Sequence, residues 1–321
     1  MSKSLVPTKV QLVTLDENAA GQRVDNYLLS RLKGVPKSRV YRIIRKGEVR
    51  VNGKRVKPEY KLCEGDSLRI PPLRFRQAEA LPEITPQLRE LLQKSILFQD
   101  EDILLINKPA GLAVHRGSSV TINLIDALRS IYPQEYLELV HRLDKGTSGC
   151  ILLARNARSL KKLQNDFRSR TTRKRYHALV HGRWPESLRQ VSAGLQRHDN
   201  RQNEVKVSVS KDGKEALTHF RVLEAYGNFS LLSAEPVTGR THQIRVHAGF
   251  AGHPICGDEK YSSAAQRKAL AAIGVKRLCL HAAELSFRHP GSDELLAFKA
   301  DYDENFVNAI DRLSAIAAKT A

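Results

Sequence analysis

The stretch HRLDKGTSGCILLAR, residues 141 to 155, is where both the fold and the chemistry of this chain are decided. It leaves a short apolar run, Leu137 to Val140, and enters another, Ile151 to Leu153, of strand-like composition. Between the two, Gly146 and Gly149 permit a tight turn or a close approach of backbone, and Asp144 sits on that turn. An Asp among Gly, Thr and Ser is, taken alone, most often a turn residue or cap. A carboxylate where two elements meet also has the placement of a nucleophile.

Outward from this segment, short apolar runs dominate from Ser95 onward: Ile96 to Phe98, Ile103 to Ile106, Tyr176 to Val180, Val205 to Val209, Thr218 to Leu223 and Phe229 to Ala234. Helical spacing is confined to Leu124 to Ile131, Leu160 to Arg168 and Asn305 to Ile316. Strands that outnumber helices without regular alternation predict an α+β domain, with a largely antiparallel or mixed β-sheet flanked by helices and loops. That domain is expected to occupy residues 87–321.

The N-terminal part reads differently. Residues 1–20 show little periodicity and are expected to be an arm, with a short strand within Val10 to Leu15. Val24, Tyr27, Leu28 and Leu32 then fall at helical spacing, and a second helix follows with Ser38 as its N-cap and Val40, Ile43 and Ile44 inward. Gly47 stops that helix, and Asn52-Gly53 supplies a two-residue hairpin turn. Ser67 to Ile70 closes a small sheet. Pro71, Pro72, Pro82 and Pro86, with Arg74, Arg76 and Gln77 among them, lack any period, so residues 71–86 are expected to be a linker.

The formal charge is +19 over 321 residues, and it is clustered. Residues 21 to 76 carry +11 and residues 155 to 183 carry +9, which leaves −1 for everything else. Such clustering is an electrostatic footprint for phosphates, the bland alternative being solvated helix faces. No run of about 18 apolar residues is present, so no membrane association is expected. The four cysteines, Cys63, Cys150, Cys256 and Cys279, are far apart, as befits reduced thiols in a cytoplasmic protein. Neither a Cys/His cluster at ligand spacing nor converging carboxylates are visible, so no metal is expected.

Three further segments bear on Asp144. NKPAGLAVHRG at 107–117 is a Pro/Gly-punctuated loop after a strand, KRYHALVHG at 174–182 puts Tyr176 at the start of a strand, and PVTGRTHQIRVHAGFAGHPICGD spans 236–258. Together with HRLDKGTSG, these resemble in order and spacing the motifs of the ribosomal large-subunit pseudouridine synthase family, over residues 95 to 300. The two short basic helices and hairpin of residues 21–70 resemble the αL RNA-binding module first seen in ribosomal protein S-four. The family resemblance implies an isomerase that acts on uridines of large-subunit (23S) ribosomal RNA or its assembly intermediates, without a cofactor. It makes Asp144 the nucleophile, Tyr176 the base-stacking ring and Arg245 the partner of the carboxylate, and it places Arg142 near the RNA backbone or the space vacated by the target base.

The chemistry suits these residue types on its own terms. Converting uridine to pseudouridine breaks a carbon–nitrogen glycosidic bond, turns the ring and rejoins it through carbon 5, with no redox change. One ionised carboxylate suffices, to bond to base or sugar or to remove a sugar proton, whereas hydrolysis of a glycoside generally uses two. Excluding water protects the intermediate. Burial disfavours a charged carboxylate and a nearby guanidinium favours it, which is a task for Arg245. Tyr176 offers a flat face for a flipped base and a hydroxyl near carbon 5. His141, His242 and His247 read as buried, hydrogen-bonded imidazoles in at least two cases, and His115 is a residue that could touch RNA.

In the N-terminal module, Arg39, Arg42, Arg45, Lys46 and Arg50 are spaced to follow a phosphate backbone along one helix and its exit. Two other classes compete with the isomerase. A non-catalytic RNA-binding or assembly factor would be expected to have lost Asp144, Tyr176 or Arg245. A zinc deaminase would carry H-x-E with P-C-x-x-C, and neither motif occurs. Transfer RNA stays open as an alternative substrate. No apolar heptad suggests pairing, so a monomer is expected.

Overall fold

In a computed structural model of the chain, the described residues are 5–7, 9–32, 35–76, 83–115, 122–199 and 205–320. They form two compact units, Met1–Leu81 and Pro82–Ala321. Residues 77–82 of the expected linker, 1–4 and 8 of the expected arm, and Arg116 and Gly117 of the 107–117 segment lie outside the described residues.

The N-terminal unit packs helices Val24–Arg31 and Lys37–Arg45 on a four-stranded antiparallel sheet. Val24, Leu28, Val40, Ile43 and Ile44 are buried in its core, as their spacing predicts. The second helix is capped by Pro36, not Ser38: the Val40 N–H already bonds the Pro36 carbonyl, and proline's fixed φ suits a helix start. Asn52 and Gly53 both have positive φ, 49° and 77°, and join Arg50–Val51 to Lys54–Arg55. The Asn52 side chain donates to Asp66 (2.7 Å) and accepts from the Ser67 N–H (2.8 Å), which holds the hairpin on strand Ser67–Ile70.

Within the expected arm, Gln11–Thr14 is the edge strand of this sheet, with Val13 opposite Leu68. Its periodicity was weak because Leu12 and Val10, both apolar, face solvent and leave Val13 as its one inward residue. Arg74–Arg76 pairs with Leu5–Pro7, and Pro86 opens a helix, Pro86–Lys94, capped by the Thr85 hydroxyl. Both elements shorten the aperiodic stretch expected over 71–86.

The second unit is built on a ten-stranded sheet with a continuous path of eight strands. In spatial order these are Gln190–Ser192, Leu217–Tyr226, Phe229–Pro236, Arg173–His181, Leu280–Arg288, Ser148–Ala154, Ile103–Lys108 and Ile96–Gln99. Among the described residues, Ser148–Ala154 with Leu280–Arg288 is the one parallel pairing of this sheet. The mixed, mainly antiparallel α+β architecture is therefore as the run pattern predicts.

The central strands are buried on both faces, which is why they read as continuous apolar runs. Leu104, Ile106, Ile151 and Leu153 pack under helix Leu124–Ile131, while Ile103, Leu105, Leu152 and Ala154 face Leu163 of helix Ala157–Ser169. The third helix of the sequence reading extends over Glu304–Thr320, with Phe306, Ala309 and Leu313 packed on the other half of the sheet. Strand Leu280–Arg288 and helix Gln243–Phe250 were not legible, and both position the site described next. Among the described residues, no helix is long and apolar enough to cross a membrane.

Candidate active site

Asp144 lies on the turn that leads from Glu138–Leu139 into Ser148–Ala154, with the Thr147 N–H bonded to its carbonyl at 3.1 Å. Gly149, at φ 106°, lets this turn approach the sheet: a Cβ there would stand 2.3 Å from the Ala282 carbonyl oxygen. Only a bare backbone permits the parallel register of Gly149 opposite Ala282. From the other side, the fully buried Lys108 donates from Nζ to the carbonyls of Pro109 (2.8 Å), Leu112 (2.8 Å) and Lys145 (3.3 Å). It thereby ties the 107–117 loop to the residue after Asp144. Burial pushes the Lys108 ammonium down to about 7, with Arg277 adding to the shift and Asp144 opposing it.

Arg245 projects from helix Gln243–Phe250. That helix is locked to the sheet by Gln243, whose side chain bonds the Thr238 hydroxyl, the Arg240 N–H and the Leu217 carbonyl. The Arg245 guanidinium donates through Nε and Nη2 to the two oxygens of Asp258, each at 2.8 Å, and through Nη1 to Asp144 Oδ2 at 3.0 Å. Asp258 is wholly buried, whereas the Asp144 side chain is 21% exposed and opens into the cleft. Burial alone would lower the Arg245 pKa, but the bonds and charge of Asp258, then those of Asp144, carry it above the usual arginine value. The Tyr261 ring lies under the guanidinium, 5.1 Å from centroid to carbon.

His242 caps the same helix in the left-handed region, φ 53°. Its Nδ1 is 2.7 Å from the Tyr261 hydroxyl, which also accepts the Val207 N–H at 3.0 Å. The Tyr261 proton is thus free to go to Nδ1, which leaves the imidazole N–H on Nε2, 3.8 Å from Asp144 Oδ2. Burial holds His242 down at about 4 against the pull of Asp144, so the ring is neutral.

Tyr176 and Asp144 line one cleft of about 550 Å³, whose apolar wall includes Leu143, Ile244 and Leu280. The volume suits one flipped nucleotide rather than a duplex. Burial, then the charge of Asp144, pushes the Tyr176 hydroxyl well above its ordinary value, so it stays protonated.

Asp144, Tyr176 and Arg245, from three separated motifs, are therefore brought together. Arg142 is exposed on the wall of the same cleft. Arg42, Arg45, Lys46 and Arg50 are exposed in the N-terminal unit and Arg39 is half-exposed, on the second helix and the strand after it. His141 accepts the Leu152 N–H at 3.1 Å and stacks on Phe167, and His247 bonds Thr218 and Ala193, so both are structural imidazoles. Asp258, Tyr261, Lys108 and the contact of His242 with Asp144 were missed. Asp258 ends the quoted 236–258 segment, but its partner is 13 residues back, and no local pattern marks the pair.

Residues 102–249 match the family described as RNA pseudouridylate synthase, and residues 22–68 match the S4 domain. The chain is 44% identical to "Ribosomal large subunit pseudouridine synthase C" of Haemophilus influenzae, over 97% of this chain and 98% of that protein. It is 45% identical to the protein of that name from Escherichia coli, over 95% and 97%. Among solved structures, human RNA pseudouridylate synthase domain containing 4 aligns with TM-score 0.58 at 29% identity, covering 71% of this chain and 95% of that one. Its human counterpart, domain containing 1, aligns with TM-score 0.55 at 28% identity, over 68% and 86%. Identity of this degree over nearly the whole length means that the chain belongs to the RNA pseudouridylate synthase family and is an RNA pseudouridine synthase with an N-terminal S4 domain.

Proposed function

We propose that this enzyme converts specific uridines of large-subunit ribosomal RNA to pseudouridine, with Asp144 as the nucleophile, Tyr176 as the stacking platform and Arg245 as the cation that holds Asp144. The observation that carries the reading is the bond from Arg245 Nη1 to Asp144 Oδ2 within the cleft that Tyr176 lines. Arg245 and the neutral His242 both face Oδ2, which leaves Oδ1 as the attacking oxygen. A protonated Tyr176 supplies a ring face and a hydroxyl proton rather than a ready base.

The names of the relatives, the S4 match and the two basic windows support large-subunit ribosomal RNA as substrate. Within this reading Arg142 occupies the space left by the flipped base, and Arg39, Arg42, Arg45, Lys46 and Arg50 follow phosphates, adding affinity without sequence readout. The enzyme acts as a monomer in the cytoplasm, a setting in which its four free cysteines stay reduced.

Chemical mapping of pseudouridine in ribosomal and transfer RNA, from cells with the wild type, the Asp144→Asn variant or no enzyme, tests the proposal. Specific ribosomal sites should vanish together in the last two. Sites lost only from transfer RNA would overturn the substrate, and sites retained with Asp144→Asn would overturn the nucleophile.

A further inference from the structure

The basic window at residues 155 to 183 is only partly used for structure. Arg155 pairs with Glu135, Lys162 with Asp293, and Arg175 bridges Glu235 and Glu284. Arg168, Arg170 and Lys174 instead line the cleft that holds Asp144 and Tyr176. Among the described residues, none of these three forms an ion pair with a carboxylate.

Arg170 is the informative member. It ends helix Ala157–Ser169 in the left-handed region, φ 62° and ψ 27°, with its N–H bonded to the Asp166 carbonyl. Thr171 N–H bonds the same carbonyl at 3.1 Å. Glycine is the favoured residue at such a helix end, because a Cβ strains the left-handed conformation. An arginine there works against the local backbone, and it lines the cleft.

Lys174 strengthens the pattern. It stands two residues before Tyr176 on strand Arg173–His181, and both residues line the cleft. The ammonium lies 5.5 Å from the Phe167 ring centroid. Burial lowers its pKa and the nearby Arg170 lowers it further. Cations crowded beside a low-dielectric wall are relieved by an incoming anion.

We propose that Arg168, Arg170 and Lys174 form a phosphate-binding rim that seats the RNA backbone next to the target uridine while its base rests on Tyr176. The inference rests on the proposed roles of the cleft, and it assigns the 155–183 charge window a place on the substrate. Its contacts position the strand without reading its sequence.

Arg170→Gly separates this role from a structural one because the two make opposite predictions. Pseudouridine formation is measured on large-subunit ribosomal RNA transcribed in vitro, over a series of KCl concentrations, alongside thermal unfolding of the protein alone. For Arg170→Gly, the melting midpoint should equal or exceed that of wild type, while kcat/KM falls about ten-fold and the slope of its logarithm against log salt becomes shallower by about 0.7 to 0.9. Arg170→Lys should regain most of the slope. Unchanged kcat/KM and slope in Arg170→Gly would overturn the rim, and so would a midpoint well below wild type. If the wild type forms no pseudouridine in this RNA, the substrate reading fails separately, and the salt slope of transcript binding by wild type and Arg170→Gly still decides the rim.

Discussion

Arg245 gives Asp258 two hydrogen bonds and Asp144 one, so the guanidinium is anchored by a carboxylate 13 residues away and presented to another 101 residues away. The buried Asp258 offsets the arginine's charge and fixes its plane. Asp144 therefore receives a directed N–H from a guanidinium that is already held in place.

Arg245→Met leaves Asp258 buried without its cation, a loss of about 3 to 5 kcal/mol in stability. Turnover per folded molecule should fall at least about a hundred-fold, the size of effect seen when one directed donor leaves an active site. Arg245→Lys should fall between this variant and wild type, because a point charge cannot make a fork and a third bond at once. Denaturant titration read beside single-turnover rates checks both, and a near-normal rate in folded Arg245→Met would refute the pairing's importance.

Asp258→Asn keeps the side chain's shape and removes the charge that anchors Arg245. The expected result is a drop in kcat with KM little changed, since Asp258 is wholly buried and does not reach the cleft. Lower thermal stability with an unchanged kcat would make Asp258 a purely structural residue.

Tyr176→Phe retains the stacking face, whereas Tyr176→Ala loses both ring and hydroxyl. If holding the base dominates, Phe should be mild and Ala should lose about 1 to 3 kcal/mol of transition-state stabilisation. Product analysis after rapid quench gives a second readout. Accumulation in Tyr176→Phe of a ring joined through carbon 5 that still carries the carbon 5 proton would show that the hydroxyl moves that proton.

His141, His177 and His242 are held by burial at about 3, 4 and 4, so they are neutral in the folded chain. Between pH of about 6.5 and 4 the unfolded chain binds protons that the folded chain refuses, so stability falls as pH drops through that window. Each fully differential histidine contributes about 1.4 kcal/mol per pH unit. Urea unfolding from pH 7 to 4.5 should show this slope, reduced by about one histidine's share in His177→Gln. A pH-independent midpoint above pH 5 would contradict neutral burial.

What the sequence by itself determined was local. The helices at Val24–Arg31 and Lys37–Arg45 follow from the spacing of Val24 and Leu28 and of Val40, Ile43 and Ile44, and the hairpin follows from Asn52-Gly53, because neighbours along the chain decide those conformations. The proposed site residues Asp144, Tyr176 and Arg245 could be singled out because each stands in a segment that resembles a motif of the family, and the fold brings the three to one cleft. Tertiary structure alone decided the rest. Strand Leu280–Arg288, central to the sheet, is buried at Leu280 to Ala283 without alternation and carries Ala and Glu, which strands disfavour, so only its second half, Glu284 to Arg288, shows a period of two. The anchoring of Arg245 by Asp258 and the turning of His242 toward Asp144 through Tyr261 depend on where a helix, a turn and a hairpin meet. Hydrogen bonds between such elements leave no trace in the periodicity of any one of them.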